Sequence, residues 1–228
     1  MLVGRATRVQ RFLMALPKRY EVTARFGATS STGDPEGEIV HTGLVPDGAL
    51  QLPVGPLRQR PHAYSAVKVG GRRAYQLARA GIEVELAERE IEVYRFQQLW
   101  QRGERRAFVI ECSSGTYVRS LIADLGDAYC ERLRRTRIGD FDVADADPER
   151  PIPLRTALHF LPEVQLDPDQ ARRVSQGQRL AALPLTESGD SPGPAARVIR
   201  LSDAEGLIAL AELDPGGGLK PIVGFRAD

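Results

Sequence analysis

Apolar residues recur at helical spacing in one stretch of the chain, and this spacing predicts its clearest helix. Val118, Leu121, Ile122 and Leu125 follow one another at intervals of three, one and three, so they share one face of a helix. The pattern predicts a helix over residues 117–129. Weaker helical patterns predict further helices over residues 5–15, 73–80 and 153–162.

Alternation of apolar and polar residues is more common in the rest of the chain, and it is typical of half-buried strands. The segment RAFVIEC, residues 106–112, alternates in this way. It follows a similar segment over residues 90–99, and the polar turn at residues 101–104 predicts that the two form a hairpin. Other strands are predicted over residues 19–26, 138–143 and 221–226.

A change of character along the chain predicts a domain boundary. Residues 162–168 begin and end with proline, and beyond them lie short apolar runs and an insert rich in glycine and proline, SGDSPGPA at residues 188–195. We therefore expect one domain over residues 1–161 and a small β-rich domain over residues 162–228. A domain of roughly 60 residues would be only marginally stable alone.

The composition is typical of a soluble globular protein. The 228 residues are 42% hydrophobic and 27% charged, no apolar run reaches the roughly 20 residues that span a bilayer, and the first residues do not resemble a signal peptide. Two cysteines cannot build a disulfide framework, and the three histidines have no metal-binding spacing. These features predict a reduced, cytoplasmic protein that holds no metal.

The net charge of +1 conceals basic segments in the first part of the chain. Residues 1–20 and 48–82 contain lysines and arginines but no acidic residue, and residues 132–137 add four arginines. From Asp140 onward, acidic residues outnumber basic ones. Clustered basic side chains favour a polyphosphate partner, because neutralised phosphates release counterions. Charge alone leaves two interpretations open, a nucleic-acid surface and ordinary solvated faces.

Arg119 occupies an unusual place for a cation. It lies two residues after Tyr117 in the first turn of the predicted helix, where the macrodipole favours anions. We therefore expect Arg119 to have a partner elsewhere in the fold. The sequence has no GxxxxGK[ST], GxGxxG, HExxH or GxSxG motif, which disfavours nucleotide hydrolysis, dinucleotide redox chemistry, zinc proteolysis and serine hydrolysis.

Four segments, taken in their order along the chain, resemble one family. They are KRYEVTARFGATSSTGDPEG (18–37), RQRPHAYSAVKVGGRRAYQLARAG (58–81), CSSGTYVRSLIADLG (112–126) and LRRTRIGDF (133–141). Together they resemble the TruB-type tRNA pseudouridine synthases, which isomerise uridine 55 in the T arm of tRNA. The resemblance runs from residue 1 to about residue 160. The tail is similar, less specifically, to the small RNA-binding PUA domain of many bacterial members.

The resemblance implies an α+β catalytic domain, built on a mixed, mainly antiparallel sheet with flanking helices, and then a small β-rich PUA-like domain. It implies the T-arm stem-loop of tRNA as the partner, a monomer, and no membrane. It implies no cofactor, because the isomerisation involves no net redox change and no group donor. A uridine in folded RNA must be flipped out of its stack at a cost of a few kcal/mol, and an aromatic face recovers about 1–3 kcal/mol by stacking on it.

The resemblance also assigns roles to single residues. Arg119 matches the arginine that pairs with a nucleophilic aspartate, and Tyr117 matches an active-site tyrosine that accepts a proton. Tyr20 matches the tyrosine that stacks on the target base, and Leu133 matches an apolar wall of the pocket. Two further candidates for substrate binding are Tyr64 and Lys68.

The nucleophile of the family is not found in this sequence. Family members carry it in a motif close to GxLDPxATG, just ahead of the segment that matches residues 2–13. We expect the aspartate to lie upstream of this chain, in a longer product. Aspartates followed by proline occur here as Asp34, Asp147, Asp167 and Asp214. Asp34 belongs to the loop TGDPEG, and we interpret it as a turn residue.

Other interpretations stay open. Tyr20 and Leu133 also fit packing positions in a sheet, and Tyr117 with Arg119 could be a local pair that ties the start of a helix to the sheet. Tyr64 and Lys68 could be ordinary strand positions. Without its nucleophile, the chain could bind tRNA without catalysis, or it could be a fragment that does not fold alone.

Overall fold

The computed structural model of the protein describes residues 1–62, 64–65, 67–82, 86–181 and 197–226. The chain divides into two compact units, one of Leu16–Ala146 and one that joins Met1–Ala15 to Asp147–Asp228. The domain boundary predicted between residues 161 and 162 stays a prediction. The insert predicted at residues 188–195 lies outside the described residues.

The described residues form many strands and only short helices. The helices are a 3-10 helix at Gly4–Val9, α1 (Gln10–Ala15), α2 (Ala74–Arg79), α3 (Val118–Ala123), a 3-10 helix at Val143–Asp145, α4 (Leu154–Ala157) and α5 (Pro168–Ser175). The strands are β1 (Lys18–Phe26), β2 (Ala28–Ser30), β3 (Ile39–His41), β4 (Gly55–Gln59), β5 (Lys68–Val69), β6 (Arg72–Arg73), β7 (Arg89–Arg102), β8 (Arg105–Cys112), β9 (Ala128–Ile138), β10 (Phe141–Asp142), β11 (Glu163–Gln165), β12 (Val198–Asp203), β13 (Gly206–Leu213) and β14 (Leu219–Gly224).

The unit Leu16–Ala146 is built on one large sheet. Its described strands follow the order β10, β9, β1, β8, β7, β4, and each neighbouring pair is antiparallel. Because side chains alternate along a strand, β1 defines two faces. Val22, Ala24 and Phe26 are buried on the core face, where α3 packs, and Arg19 and Arg25 lie on the opposite face, which we call the open face.

The sequence predicted this sheet well where the alternation was regular. The strand predicted over residues 19–26 is β1, and the predicted hairpin is β7 with β8, which turns at Gly103 and Glu104. The predicted α+β class with a mainly antiparallel sheet is confirmed. The helices predicted over residues 5–15 and 73–80 are also present, the first as a 3-10 turn followed by α1.

The helix predicted over residues 117–129 was too long. α3 stops at Ala123, and Gly126 takes a φ of +133°, which suits glycine and breaks the helical path. The residues from Ala128 onward form β9, which pairs along the whole of β1. This pairing provides hydrogen-bond partners for the backbone of β1 on that side. The strand predicted over residues 138–143 was therefore misplaced, since Ile138 ends β9 and Gly139 turns the chain into β10. The helix predicted over residues 153–162 is reduced to α4.

The second unit has its own sheet, in the order β11, β12, β13, β14. β11 is parallel to β12, and the other pairs are antiparallel. Arg200 is buried in this unit, where its Nε donates to the carbonyl of Leu161 at 2.9 Å and its Nη2 lies 3.5 Å from Glu163. The predicted last strand is β14. No helix in the described part of the chain is long and apolar enough to cross a bilayer.

Candidate active site

The loop that leads from β8 into α3 fixes the position of Tyr117. Ser113 is tied to Glu92 of β7, because its amide donates to the Glu92 carbonyl at 2.8 Å and its hydroxyl accepts from the Glu92 amide at 2.9 Å. Tyr117 is extended and directly precedes α3. The guanidinium of Arg89 lies 5.1 Å from the centroid of the Tyr117 ring, a cation–π contact that holds the ring on one side.

Gln59 clamps the backbone of Tyr117. Its side-chain carbonyl accepts from the Tyr117 amide at 2.7 Å, and its side-chain amide donates to the Tyr117 carbonyl at 3.0 Å. Gln59 ends β4 and is only 5% exposed. A buried side-chain amide that bonds both the N–H and the C=O of one residue leaves that residue little freedom, so β4 positions the residue directly before α3.

Replacing Gln59 by alanine is expected to lower the free energy of unfolding by about 1–3 kcal/mol, because the backbone of Tyr117 would lose two partners. A loss of this size lowers the melting temperature by about 2–4 °C per kcal/mol. Gln101, exposed at the end of β7, supplies the matched control, and Gln101→Ala should stay within about 0.5 kcal/mol of the native protein. Equal thermal melts for the two variants would contradict the clamp.

Arg119 has its partner in the TGDPEG loop. Nη1 of Arg119 lies 2.7 Å from Oδ2 of Asp34 and donates to the carbonyl of Thr32 at 3.2 Å. Oδ1 of Asp34 accepts from the hydroxyl of Thr32 at 2.6 Å and from the amide of Glu36 at 3.1 Å. Asp34 therefore has the turn chemistry that the sequence predicted, and it is also the acidic partner of Arg119, which the sequence did not predict.

Gly33 permits this close approach. Its φ is +72°, and a Cβ added there would lie 3.1 Å from Cβ of Arg119. The carbonyl of Gly33 accepts from the amide of Cys130 at 3.0 Å, which ties the loop to β9. A larger residue would be strained and crowded at this position, so the ion pair depends on a glycine beside it.

His62 lies close enough to this ion pair to respond to its charges. Burial lowers the pKa of His62, the positive charge of Arg119 lowers it further, and Asp34 acts in the opposite direction. Nδ1 of His62 accepts from the amide of Tyr64 at 3.1 Å, which requires that nitrogen to be unprotonated. The folded protein therefore favours the neutral imidazole.

The lowered pKa of His62 predicts a pH-dependent stability. Below its usual pKa of 6.5 the unfolded chain binds the proton more readily than the folded chain. The stability that the neutral His62 contributes to the folded protein is therefore complete above pH 6.5. It is lost as the pH falls through the lowered pKa of His62. His62→Asn keeps an acceptor for the Tyr64 amide but does not titrate. Urea unfolding between about pH 8 and pH 5 should show a steeper loss for the native protein than for His62→Asn, and parallel curves would contradict this assignment.

Tyr20, Leu133 and Arg135 lie together on the core face. Tyr20 is opposite Arg135 across β1 and β9, and Val22 is opposite Leu133 in the same register. Burial raises the pKa of the Tyr20 hydroxyl, and the nearby Arg135 acts in the opposite direction. Leu133 is 39% exposed. A half-buried tyrosine beside an exposed leucine offers a surface on which a base can stack.

Cys130 lies near both the Arg119–Asp34 ion pair and the surface formed by Tyr20 and Leu133. It lies on the core face of β9, opposite Ala24. Burial raises its pKa to about 12, and the charges of Arg119 and Asp34 also act on it. The ion pair and the Tyr20 surface are therefore on the same side of the same strand.

Tyr64 and Lys68 belong to the segment that leads from β4 to α2. The ring centroid of Tyr64 lies 5.8 Å from that of His62, so Tyr64 is connected to the ion pair through His62. Lys68 is exposed in β5, which forms a small two-stranded hairpin with β6. Among the described residues, no hydrogen bond or ion pair joins Lys68 to Arg119 or Tyr117.

Several residues of this site were not predicted as functional, and three of them act on Tyr117 or Arg119. Asp34, Gln59 and His62 all lie in the segments that carry the family resemblance, but each looks ordinary in its local sequence. No local signal in the sequence draws attention to Gln59. Their roles come from contacts with a helix that is distant in sequence.

Known proteins resemble this chain in sequence and in fold. The family model "TruB family pseudouridylate synthase (N terminal domain)" matches residues 1–118, and "Pseudouridine synthase II TruB, C-terminal" matches residues 162–224. Among solved structures, a chain of a Cbf5-Nop10-Gar1 complex is similar with a TM-score of 0.63 and 20% identity, over 98% of this chain and 70% of that one. The family models define the class of protein, which is a pseudouridylate synthase.

Curated relatives identify the family. A tRNA pseudouridine synthase B of Aromatoleum aromaticum is 34% identical over 97% of this chain and 77% of its own length, and that of Aquifex aeolicus is 34% identical over 97% and 82%. That of Mycobacterium tuberculosis is 43% identical over 63% of this chain and 54% of its own. The chain belongs to the TruB family of pseudouridylate synthases, as the sequence resemblance predicted.

Proposed function

We propose that the protein is a tRNA pseudouridine synthase that isomerises uridine 55 in the T arm of tRNA. The observation that carries the proposal is the Arg119–Asp34 ion pair beside Tyr117, in a chain of the TruB family. The proposal is supported by the curated relatives, which are named tRNA pseudouridine synthase B. It includes a cytoplasmic monomer, because the unit Leu16–Ala146 supplies all the site residues found in this chain and tRNA is the substrate.

The core face supplies the surfaces that the reaction needs. The flipped uridine stacks on Tyr20, and Leu133 forms an apolar wall beside it. Stacking recovers about 1–3 kcal/mol of the cost of unstacking the base. Tyr117, fixed by Gln59 and Arg89, is the candidate for accepting the proton that the base loses when its glycosidic bond is replaced by a carbon–carbon bond.

Arg119 has the capacity to hold a second carboxylate. Its contacts with Asp34 and Thr32 use Nη1, and its side chain is 38% exposed. A guanidinium carries five N–H donors in a planar fork that suits a carboxylate. We infer that a nucleophilic aspartate, outside these 228 residues and in a GxLDPxATG-like context, pairs with the remaining donors. Asp34 is held by three contacts and keeps Arg119 in place.

The test compares the gene product isolated from its own cell with the 228-residue chain, on an unmodified tRNA transcript. The gene product should form one pseudouridine at position 55 and none in a transcript that has cytidine there. The 228-residue chain should bind the RNA without turnover. No pseudouridine from the gene product, under conditions in which a relative's enzyme is active, would overturn the proposal.

A second candidate function is tRNA binding without catalysis. It is favoured by the absence of a GxLDPxATG-like motif from the 228 residues. It predicts that the Kd for tRNA weakens steeply with salt, because several phosphates are neutralised. A Kd that does not change with salt would contradict it.

A further inference from the structure

The open face of the large sheet carries a row of arginines along β9. Arg132, Arg134 and Arg137 are opposite Thr23, Glu21 and Arg19 of β1, so all three project from the open face. Arg132 and Arg134 are exposed, and Arg137 is half-buried. Side chains two residues apart on one face of a strand are about 6.6–6.8 Å apart, which is the spacing of Arg132 and Arg134. Arg137 follows on the same face beyond a register shift in the pairing of β9 with β1.

Arginines outnumber acidic residues on this face among the described residues. The arginines are Arg19, Arg25, Arg58, Arg95, Arg102, Arg105, Arg132, Arg134 and Arg137, and the acidic residues are Glu21, Glu90, Glu92, Glu104, Glu111, Glu131 and Asp142. The buried floor between them is apolar, with Ala107 and Val109 of β8. The face is therefore positive overall and open to solvent.

The carboxylates present do not neutralise the row on β9. Glu111 is shared by three arginines, at 3.3 Å from Arg137 and 3.9 Å from each of Arg19 and Arg95. Arg132 and Arg134 form no ion pair with any described residue. Guanidinium groups are well suited to bind phosphate through paired hydrogen bonds, so this row has the chemistry of a phosphate-binding surface.

The same strand also borders the candidate active site. Leu133 and Arg135 project from the core face, and Arg132 and Arg134 alternate with them on the open face. β10 pairs only with Arg137 and Ile138, so the outer edge of β9 has no described strand beside it from Glu131 to Thr136. A strand is about 5 Å wide, and an RNA that reaches the core face at Leu133 can therefore pass around this free edge.

We propose that the open face of β9, centred on Arg132 and Arg134, binds the phosphate backbone of the substrate tRNA outside its T arm. The proposal rests on the proposed function, since it takes the RNA on the core face to be the T arm of tRNA. The surface reads charge and not sequence, because arginines that contact phosphates carry no base information. It adds affinity for the whole tRNA over the isolated stem-loop.

The test is the double variant Arg132→Gln, Arg134→Gln, which removes two charges without breaking an ion pair among the described residues. Its affinity for a full-length unmodified tRNA transcript should fall about tenfold, and the slope of log K against log salt should decrease by about 1.4–1.8. Its affinity for an isolated T-arm stem-loop should stay within about twofold of the native value. The matched control Arg132→Lys, Arg134→Lys keeps both charges and should retain the native salt dependence, because the same number of phosphates is neutralised.

The outcomes separate this proposal from the proposed function. Unchanged affinity of the Gln variant for full-length tRNA, as expected if the face binds an acidic protein, would overturn the proposal. An equal loss for tRNA and stem-loop would also overturn it, because the charges would then act on the T arm. The gene product could also form no pseudouridine while the Gln variant loses affinity for full-length tRNA but not for the stem-loop. That result would refute the proposed reaction and uphold the proposed phosphate-binding surface.

Discussion

Replacing Arg119 by alanine is expected to reduce pseudouridine formation by about a hundredfold to a thousandfold, the usual effect of losing one fixed electrostatic group at a reaction centre. The side chain is the one cation found to contact Asp34 among the described residues, at 2.7 Å. In the proposed mechanism, its loss leaves two carboxylates facing each other at the site, and the nucleophile loses the charge that orients it. Arg119→Lys should recover only part of the rate, because an ammonium cannot bridge two carboxylates as a planar guanidinium does.

The measurement is the initial rate of pseudouridine formation in a tRNA transcript by the active gene product. Arg172→Ala is the matched control, since Arg172 is an exposed arginine with only a surface pair to Asp169. The native rate in Arg119→Ala, with a folded protein confirmed by its thermal melt, would remove Arg119 from the mechanism.

Replacing Tyr20 by alanine should weaken the binding of tRNA and slow the reaction by a factor of about 5–150, which corresponds to the 1–3 kcal/mol of stacking on one base. Tyr20 lies between Ile110 and Arg135 on the core face, so its ring is presented from a rigid strand. Tyr20→Phe keeps the ring and removes only the hydroxyl, which lies near Arg135. We expect it to remain within a few-fold of the native rate, because a single hydrogen bond contributes about 1 kcal/mol.

Tyr94 supplies the control for this series. It lies on β7 with 46% of its surface exposed, so Tyr94→Ala removes an equal ring away from the proposed base-binding surface. Comparable kinetics for Tyr20→Ala and Tyr94→Ala would show that Tyr20 does not stack on the substrate. Comparable kinetics for Tyr20→Ala and Tyr20→Phe would show that its hydroxyl, and not its ring, is what matters.

The parts of the fold that could be predicted are those in which local pattern and burial agree. β1 buries Val22, Ala24 and Phe26 on one side, so its alternation is visible in the sequence. β9 could not be predicted, because arginines occupy both of its faces and hide the alternation. Its strand structure is decided by pairing with β1 over most of its length, a tertiary contact that outweighs local preference.

Some residues of the candidate site could also be predicted from the sequence, and others could not. Tyr20, Tyr117, Arg119 and Leu133 could be proposed because the segments around them resemble the family, and the structure shows where they lie. The partner of Arg119 could not be identified, because Asp34 is distant in sequence and its local context already explains it as a turn residue. The choice of carboxylate that forms an ion pair with Arg119 depends on how loops pack against α3. A local sequence pattern does not specify this packing.

The reactivity of the two buried cysteines can be used to measure local opening of the large sheet. Cys112 lies in β8 and Cys130 in β9, on either side of β1, and burial raises the pKa of both thiols. With a pKa of about 12, only about one Cys130 in 10⁵ is a thiolate at pH 7, and the thiolate is the form that reacts. An alkylating reagent therefore modifies each cysteine only when its strand opens, and the modification rate measures the free energy of that opening. Bound RNA that spans β9 would protect Cys130 more than Cys112, so two labelling rates would map the footprint of the substrate without any engineered probe.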